Sequence, residues 1–167
     1  SLGRELGLWV ETVEPLDNGG EPVKSRTIRE AVSQGDISNC NRLLGRKFSL
    51  TGEVVVGNRQ GRKLGFPTAN LACSSDLLLP ADAIYATWAI IDDITHPSAT
   101  SIGIRPTFGL TQRVVEVHIL DFDGDLYGKE IQVEFVARLR GQERFQDVDQ
   151  LVAQIQRDVN QARSELA

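Results

Sequence analysis

The sequence predicts a mainly β domain, built as an antiparallel sheet or closed barrel, that ends in one α-helix. From residue 47 onward, short apolar segments alternate with polar positions at period two, and turn residues rather than helices separate them. Near the C-terminus the period changes, and Leu151, Ile155 and Val159 recur at every fourth position. That spacing predicts a single amphipathic helix over 149–166, whose apolar stripe packs against the sheet.

Five strands are predicted from the alternation. The first runs from Phe48 to Val56, and the others lie at 84–91, 98–104, 114–122 and 131–139. Asp123-Gly124 and a bend at Tyr127-Gly128 join the last two strands. Because no helical segment separates these short strands, we expect them to pair antiparallel.

Before residue 46 the sequence has a different character. The stretch 8–13 alternates like a short strand, and Asp17-Asn18-Gly19-Gly20 is a strong turn signal. A short helix is predicted over 26–34, and Ser38 is expected to cap a second one that ends at Gly45. A segment of this length cannot bury a core of its own, and we therefore interpret it as a short α/β fragment.

Composition describes one soluble domain preceded by that short unit. The chain has 167 residues, of which 41% are apolar and 25% charged, which excludes a disordered chain. The change of pattern divides it into a remnant at 1–45 and a barrel domain at 46–167. No run approaches eighteen apolar residues, so no membrane partner is expected.

Cysteine and methionine usage bear on location. Cys40 and Cys73 are too few for a disulfide scaffold and form no CxxC pair, so we expect reduced thiols in a cytoplasmic protein. The first eight residues lack the charged-then-apolar order of an export signal. The chain contains no Met, which predicts that it is part of a longer protein.

Charge argues against nucleic acid as a partner, because the net charge is −5. The segment 42–63 nevertheless carries six basic residues and only one acidic residue. A local basic patch on an acidic protein suits a small anionic ligand such as a nucleotide. A solvated surface loop explains the same pattern equally well.

The most unusual part of the sequence is a glycine-rich connection between two strands. It contains Gly57, Gly61 and Gly65 together with two adjacent cations, Arg62 and Lys63. Glycines let backbone N–H groups approach a phosphate closely, and a cation offsets the phosphate charge. The connection lacks the GK[ST] of a Walker motif, so a phosphate-binding loop and a plain surface loop both stay open.

Five further side chains are candidates for chemistry. Thr68 and Asn70 lie two residues apart, so their oxygens face one side of an extended chain and suit Mg²⁺. Glu116 lies in the middle of an apolar strand, where it is either a general base toward a hydroxyl or a solvated carboxylate. Arg140 with Phe145 could hold a flat heterocycle at a barrel mouth, or could form a polar connector with one apolar anchor.

In this order, the segments resemble the riboflavin kinase domain, and more closely the C-terminal module of the bacterial bifunctional riboflavin kinase/FMN adenylyltransferase, or FAD synthetase. The resemblance spans about 43–162. It is carried by G-x-x-x-G-R-x-L-G-F-P-T-A-N at 57–70, L-P with a tyrosine strand at 79–86, I-G-x-R-P-T-F at 102–108, E-V-H-x-L-D-F at 116–122, L-Y-G at 126–128, L-R-x-x-x-x-F at 139–145 and L-x-x-x-I-x-x-D at 151–158.

The resemblance implies a six-stranded antiparallel Greek-key barrel with a helix across it. It also implies that ATP phosphorylates the terminal ribityl hydroxyl of riboflavin, giving FMN and ADP. By position, Thr68 and Asn70 would bind Mg²⁺ and the ATP phosphates, Glu116 would be the catalytic base, and Arg140 with Phe145 would border the flavin. The ATP-binding connection would comprise Gly57, Gly61, Arg62, Lys63, Gly65, Phe66 and Pro67, followed by Thr68 and Asn70.

The first 45 residues are similar to the tail of the adenylyltransferase domain, with Ser25, Ile28 and Arg29 matching its motif. The rest of that domain is absent, so FAD formation is expected of a longer parent and not of this chain. Two positions depart from the kinase pattern: Ala83 replaces a usual Gly, and Ser101 replaces a common Asn. A non-catalytic module that binds flavin or nucleotide is the alternative.

Overall fold

The computed structural model describes residues 2–11, 14, 16–17, 22–107 and 110–167. Its helices and strands are, in chain order, α1 (Leu2–Glu5), α2 (Ser25–Gln34), α3 (Ile37–Leu44), β1 (Phe48–Val55), α4 (Gln60–Lys63), β2 (Ala69–Ala72), β3 (Ala83–Ile91), β4 (Ile94–Thr107), β5 (Leu110–Ile119), β6 (Glu130–Gly141) and α5 (Val148–Glu165).

The six strands close into one barrel in the order β1-β2-β5-β4-β3-β6. Every neighbouring pair is antiparallel. Strands β3, β4 and β5 follow one another as neighbours, and β6 returns to pair with β3, which is a Greek-key arrangement. The mainly β fold and the C-terminal helix are therefore confirmed.

Alternation along the strands fills the barrel interior with apolar side chains. Tyr85 and Phe135 are the largest side chains there, and their rings meet edge to face with centroids 5.3 Å apart. Three buried hydroxyls, on Thr87, Ser98 and Thr100, hydrogen-bond to one another, so they add no unsatisfied polar group to the core.

Helix α5 covers part of the outer surface of the barrel. Asp147 caps its start by accepting a hydrogen bond from the backbone N–H of Gln150 at 2.8 Å. Towards its C-terminal end, Val159 and Ala162 pack with Ala86 and Ala99 of the barrel wall. Alanines at these positions let the helix approach the sheet closely, while the first turns of α5 stand over a cavity described below.

The N-terminal helices pack on the barrel. Ile37 of α3 belongs to the same buried cluster as the barrel core. Asn41 ties α3 to two strands, because its amide donates to the carbonyl of Phe135 and accepts from the N–H of Phe48. None of the helices in the described part of the chain combines the length and apolar composition needed to span a bilayer.

Several predicted boundaries are wrong. Helix α3 begins one residue before Ser38, and its cap is Asp36, whose carboxylate accepts from Asn39 N–H at 3.2 Å. The predicted strand 8–13 is absent at residues 8–11, which have no regular secondary structure, and residues 12 and 13 lie outside the described residues. Most of the predicted turn at 17–20 also lies outside them. Strand β2 was not predicted from the alternation.

Candidate functional site

Five residues on five neighbouring strands form one row across the outer face of the barrel. Asn70 on β2 is the register partner of Glu116 on β5, and Glu116 is also the partner of Ser101 on β4. Ser101 in turn faces Ile84 on β3, and Ile84 faces Arg140 on β6. Directly opposed residues of antiparallel strands point to the same side, so the row presents all five side chains to the outside. We call it the transverse row.

The far end of the transverse row depends on a β-bulge. Between Ile84 and Tyr85 the register of β3 against β6 shifts by one residue, so Tyr85 faces Arg138 while Ile84 faces Arg140. A second shift of one residue lies between Ala86 and Thr87. A one-residue slip exchanges the two faces of a strand, so with the Ala86/Thr87 shift alone Ile84 would face Leu139, and the two shifts together bring the guanidinium into the row.

A cavity of about 460 Å³ lies between the transverse row and helix α5, and we call it the outer cavity. Its walls include the predicted base Glu116 and both predicted flavin-binding residues, Arg140 and Phe145. They also include residues predicted to bind ATP, and one histidine that was not predicted as a site residue: Gly61, Phe66, Thr68 and His118. Leu151 and Ile155 of α5 add an apolar side. A partly open cavity that combines an apolar side with charged and polar groups suits a flat organic ligand with polar substituents.

A second cavity, of about 500 Å³, opens at one end of the barrel, and we call it the mouth cavity. Arg59, Arg62 and Pro67 line one side of it, and the loop 123–127 lines the other. Arg59 and Thr68 line both cavities. Two ligands, one in each cavity, would therefore approach each other at Thr68.

The glycine-rich connection packs tightly on the predicted metal-binding residues. A Cβ added to Gly57 would lie 2.3 Å from the side-chain nitrogen of Asn70, and one added to Gly61 would lie 2.4 Å from the carbonyl oxygen of Phe66. Such contacts are sterically forbidden, so only glycine permits this approach. Gly65 has a φ of +87°, which also favours glycine.

His118 fastens the end of this connection to β5. Its Nδ1 lies 2.8 Å from the carbonyl oxygen of Pro67, and because a carbonyl only accepts, Nδ1 carries the proton and donates. The ring also meets Phe66 edge to face, with centroids 5.6 Å apart. His118 therefore holds the residue that immediately precedes Thr68.

Arg140 is held by a buried carboxylate on α5. Its Nε and Nη2 donate to the two carboxylate oxygens of Asp158 at 2.8 and 2.7 Å, and the guanidinium lies 5.9 Å from the ring centre of Phe145. The hydrogen bonds that Arg140 donates to Asp158 raise the pKa of Arg140 above its ordinary value. Arg140 is therefore charged and fixed in orientation at the wall of the outer cavity.

The other predicted site residues are placed less directly. Gly57, Lys63 and Gly65 line neither cavity, and Asn70 reaches the site through its position opposite Glu116. Ala83 is fully buried and has no positive φ, so alanine is compatible with the backbone there. The sequence reasoning assigned no role to Asp158, although a carboxylate beside the apolar stripe of a helix is a signal for a buried partner.

Comparisons with known proteins agree on one family. A family model described as Flavokinase, riboflavin kinase, matches residues 44–166. The bifunctional riboflavin kinase/FMN adenylyltransferase of Escherichia coli K12 is 35% identical over 162 residues, which cover 96% of this chain and 51% of that protein. The chain thus spans about half the length of the curated relatives it matches.

Two solved structures share the fold. A crystal structure from Streptococcus pneumoniae, described as a macrolide-efflux protein, has a TM-score of 0.84 at 34% identity and covers 90% of this chain and 50% of that one. The riboflavin kinase of Trypanosoma brucei has a TM-score of 0.56 at 28% identity and covers 71% of this chain and 76% of that one.

Proposed function

The chain belongs to the riboflavin kinase family, and on that premise we propose that it transfers the γ-phosphoryl group of ATP to the terminal ribityl hydroxyl of riboflavin, giving FMN and ADP. The observation that carries the proposal is that Thr68 borders both cavities, while Glu116 lines the outer cavity directly opposite Asn70. A phosphoryl donor in one cavity and an acceptor in the other would meet beside a carboxylate. Phosphoryl transfer requires mainly such positioning and charge stabilisation.

Riboflavin fits the outer cavity by its chemistry. The isoalloxazine ring is flat and uncharged, and this cavity offers Phe145, the apolar residues of α5 and the oriented guanidinium of Arg140. Stacking on an aromatic ring and hydrogen bonds from a planar cation both favour a flat heterocycle with carbonyl oxygens. The ribityl chain would then extend along the transverse row towards Glu116.

ATP fits the mouth cavity. Arg59 and Arg62 give one wall positive charge, and Gly57 and Gly61 bring the backbone close to Asn70 and Thr68. Glycine backbone and cations are the features that phosphate groups require. In this arrangement the γ-phosphate would lie beside Thr68, at the junction of the two cavities.

Glu116 is the proposed general base. Its carboxylate would accept the proton of the ribityl hydroxyl as the hydroxyl oxygen bonds to the γ-phosphorus and the bond from that phosphorus to the ADP oxygen breaks. The proton ends on the carboxylate and the electron pair of the broken bond on ADP. The half-buried position of Glu116 on the outer face leaves it accessible to a ligand in the cavity.

The family uses ATP together with a divalent metal ion, and Mg²⁺ is our proposal for this chain. Thr68 and Asn70 supply neutral oxygens on one face of an extended segment, a donor set that suits Mg²⁺ when phosphates and water complete its shell. Bound there, the ion would offset negative charge on the phosphates. Within the described residues no group of three or more His, Cys, Asp or Glu side chains could hold a metal.

Of the two activities of the bifunctional relatives, we assign to this chain only the kinase activity, because its kinase part is matched along its length. We propose that residues 1–45 are the tail of an adenylyltransferase domain and that 46–167 are the kinase. The relatives named as bifunctional are about twice as long as this chain. FMN adenylylation is therefore assigned to a longer parent protein, and a cytoplasmic location is proposed because Cys40 and Cys73 are unpaired.

The direct test is incubation of the purified chain with riboflavin and Mg·ATP, followed by chromatographic separation of FMN and FAD. We expect FMN and ADP without FAD, and no product when EDTA removes the metal. Folded protein that makes no FMN with any divalent metal would overturn the proposal. Quenching of riboflavin fluorescence without turnover would identify a non-catalytic binding module instead.

A further inference from the structure

We propose that Asp158 is a positioning residue for the flavin: it fixes the plane of Arg140 and thereby sets the affinity for riboflavin and not that for ATP. The inference rests on the proposed function of the outer cavity. It concerns a helix residue that lines the outer cavity together with Arg140 and whose two carboxylate oxygens both accept hydrogen bonds from that guanidinium.

The first support is the geometry of the pair. Asp158 binds Arg140 through both carboxylate oxygens, at 2.8 and 2.7 Å, and both side chains are withdrawn from solvent, with 6% and 16% of their areas exposed. A two-point contact between a planar carboxylate and a planar guanidinium fixes orientation as well as distance. A lysine at position 140 would satisfy the charge and lose this constraint.

The second support is that Asp158 is itself held in place. The side-chain amide of Gln154, one turn earlier on α5, donates to a carboxylate oxygen of Asp158 at 2.8 Å. Asp158 is one of three buried residues of α5, beside Val159 and Ala162, which pack on the barrel. The helix therefore presents the carboxylate from a rigid support.

The third support is that Arg140 retains N–H donors that its contacts with the protein do not use. Its Nη1 donates to the carbonyl of Gly141 at 2.9 Å, so this bond and the two bonds to Asp158 engage three of the five guanidinium N–H groups. One N–H on each terminal nitrogen is left by these contacts. Since Arg140 lines the outer cavity beside Phe145, a flavin stacked on that ring would meet oriented donors for its carbonyl oxygens.

A second ion pair between α5 and the barrel supplies the matched control. Arg163 binds Asp121 at 2.6 Å, but both side chains are largely exposed and neither lines the outer or the mouth cavity. Asp121 has a φ of +55°, which asparagine tolerates. Asp121→Asn thus makes the same chemical change at the same helix–barrel interface without touching the site.

The test compares Asp158→Asn and Asp121→Asn with the unchanged chain. KM for riboflavin, KM for ATP, kcat and Tm are measured, together with riboflavin binding by fluorescence quenching in the absence of ATP. For Asp158→Asn we expect KM and Kd for riboflavin to rise about tenfold, with KM for ATP and kcat within about twofold. Asp121→Asn should leave all four enzymatic and binding constants unchanged.

Three results would overturn the inference: a riboflavin Kd within twofold of the unchanged chain, an equal rise in both KM values, or a loss confined to Tm. If Asp158→Asn does not fold, the Arg140→Lys variant is measured in its place, because lysine keeps the ion pair with Asp158 and removes the planar guanidinium. An unaltered riboflavin Kd in Arg140→Lys would also overturn the inference. Absence of FMN from the unchanged chain would refute the kinase proposal, while the binding measurement would still judge Asp158 on its own.

Discussion

Asn70 on β2 and Glu116 on β5 are directly opposed partners in the antiparallel ladder, so their side chains leave the barrel wall on the same side. Opposed residues have Cβ atoms about 5 Å apart, which is close enough for one ligand to touch both. An amide that would bind the metal and phosphates thus stands beside the carboxylate that would accept the proton.

Glu116→Gln should abolish most of the turnover. The amide keeps the size of the side chain and cannot accept the ribityl proton, so we expect kcat to fall by about 10²- to 10⁴-fold, with riboflavin binding largely retained. Steady-state FMN production and fluorescence quenching measure the two effects. Glu53→Gln is the control, since Glu53 is an exposed strand carboxylate that lines neither cavity. A Glu116→Gln enzyme with near-normal kcat would exclude the base role.

Gly57→Ala should impair the handling of Mg·ATP. The added Cβ would lie 2.3 Å from the amide nitrogen of Asn70, so either the connection or the amide must move. Forced displacements of this kind cost about 1–3 kcal/mol, which, if lost from the binding of Mg·ATP in the transition state, corresponds to about a 5- to 150-fold loss in kcat/KM for ATP. Val56→Ala, at the neighbouring residue whose side chain is 66% exposed, should behave like the unchanged chain. Equal ATP kinetics in both variants would refute the packing argument.

His118→Phe should loosen the segment that carries Thr68. Phenylalanine keeps an aromatic ring against Phe66 and removes the Nδ1 donor to the Pro67 carbonyl. We expect unfolding free energy to fall by about 0.5–1 kcal/mol, because water can replace this exposed hydrogen bond, and kcat to fall severalfold. Urea unfolding and FMN production measure these quantities. His96→Phe is the matched control, because His96 also contacts a phenylalanine, Phe122, through its ring and lines neither cavity. If His96→Phe lowered kcat as much as His118→Phe does, the loss would come from replacing any histidine and not from the hydrogen bond to Pro67.

Local sequence patterns predicted the long strands and the C-terminal helix, because burial of one face imposes a regular spacing of apolar residues along the sequence. Strand β2 was missed by that criterion, because its four residues, Ala-Asn-Leu-Ala, are too few to establish alternation. The transverse row could not be derived either. It depends on which residues oppose one another, and at its far end on a bulge between Ile84 and Tyr85 that no local pattern marks.

Residue-level chemistry singled out Thr68, Asn70, Glu116, Arg140 and Phe145 as candidates, but it left Glu116 open between a base and a solvated carboxylate. The family resemblance then assigned the role of each residue. What the structure adds is the common wall that Thr68, Glu116 and Arg140 share, although they come from three different elements. The partner of Arg140 was not anticipated, because a contact 18 residues away between a strand and a helix requires the packing of α5. Asp158 ends the L-x-x-x-I-x-x-D motif at 151–158, but nothing in the sequence indicates which residue it contacts.

The two thiols should make stability fall at alkaline pH. Burial raises the pKa of Cys40 and of Cys73, so both stay protonated in the folded chain while the unfolded thiols ionise above a pH of about 8.5. The folded state then binds more protons than the unfolded state, and the stabilising contribution, complete below that pH, is lost as pH rises towards the folded pKa values.

Urea unfolding between pH 7 and 10 measures this loss, and Cys40→Ala should remove the part due to Cys40. Because Cys40 is fully buried, it should also resist a thiol-specific reagent at pH 8 until the chain unfolds, whereas the half-buried Cys73 should react first, though slowly. Rapid labelling of Cys40 in the folded chain would contradict the packing of α3 against α2 and against Phe48 of β1. Since Cys40 and Cys73 line neither cavity, their labelling pattern tests the fold separately from the catalytic proposals.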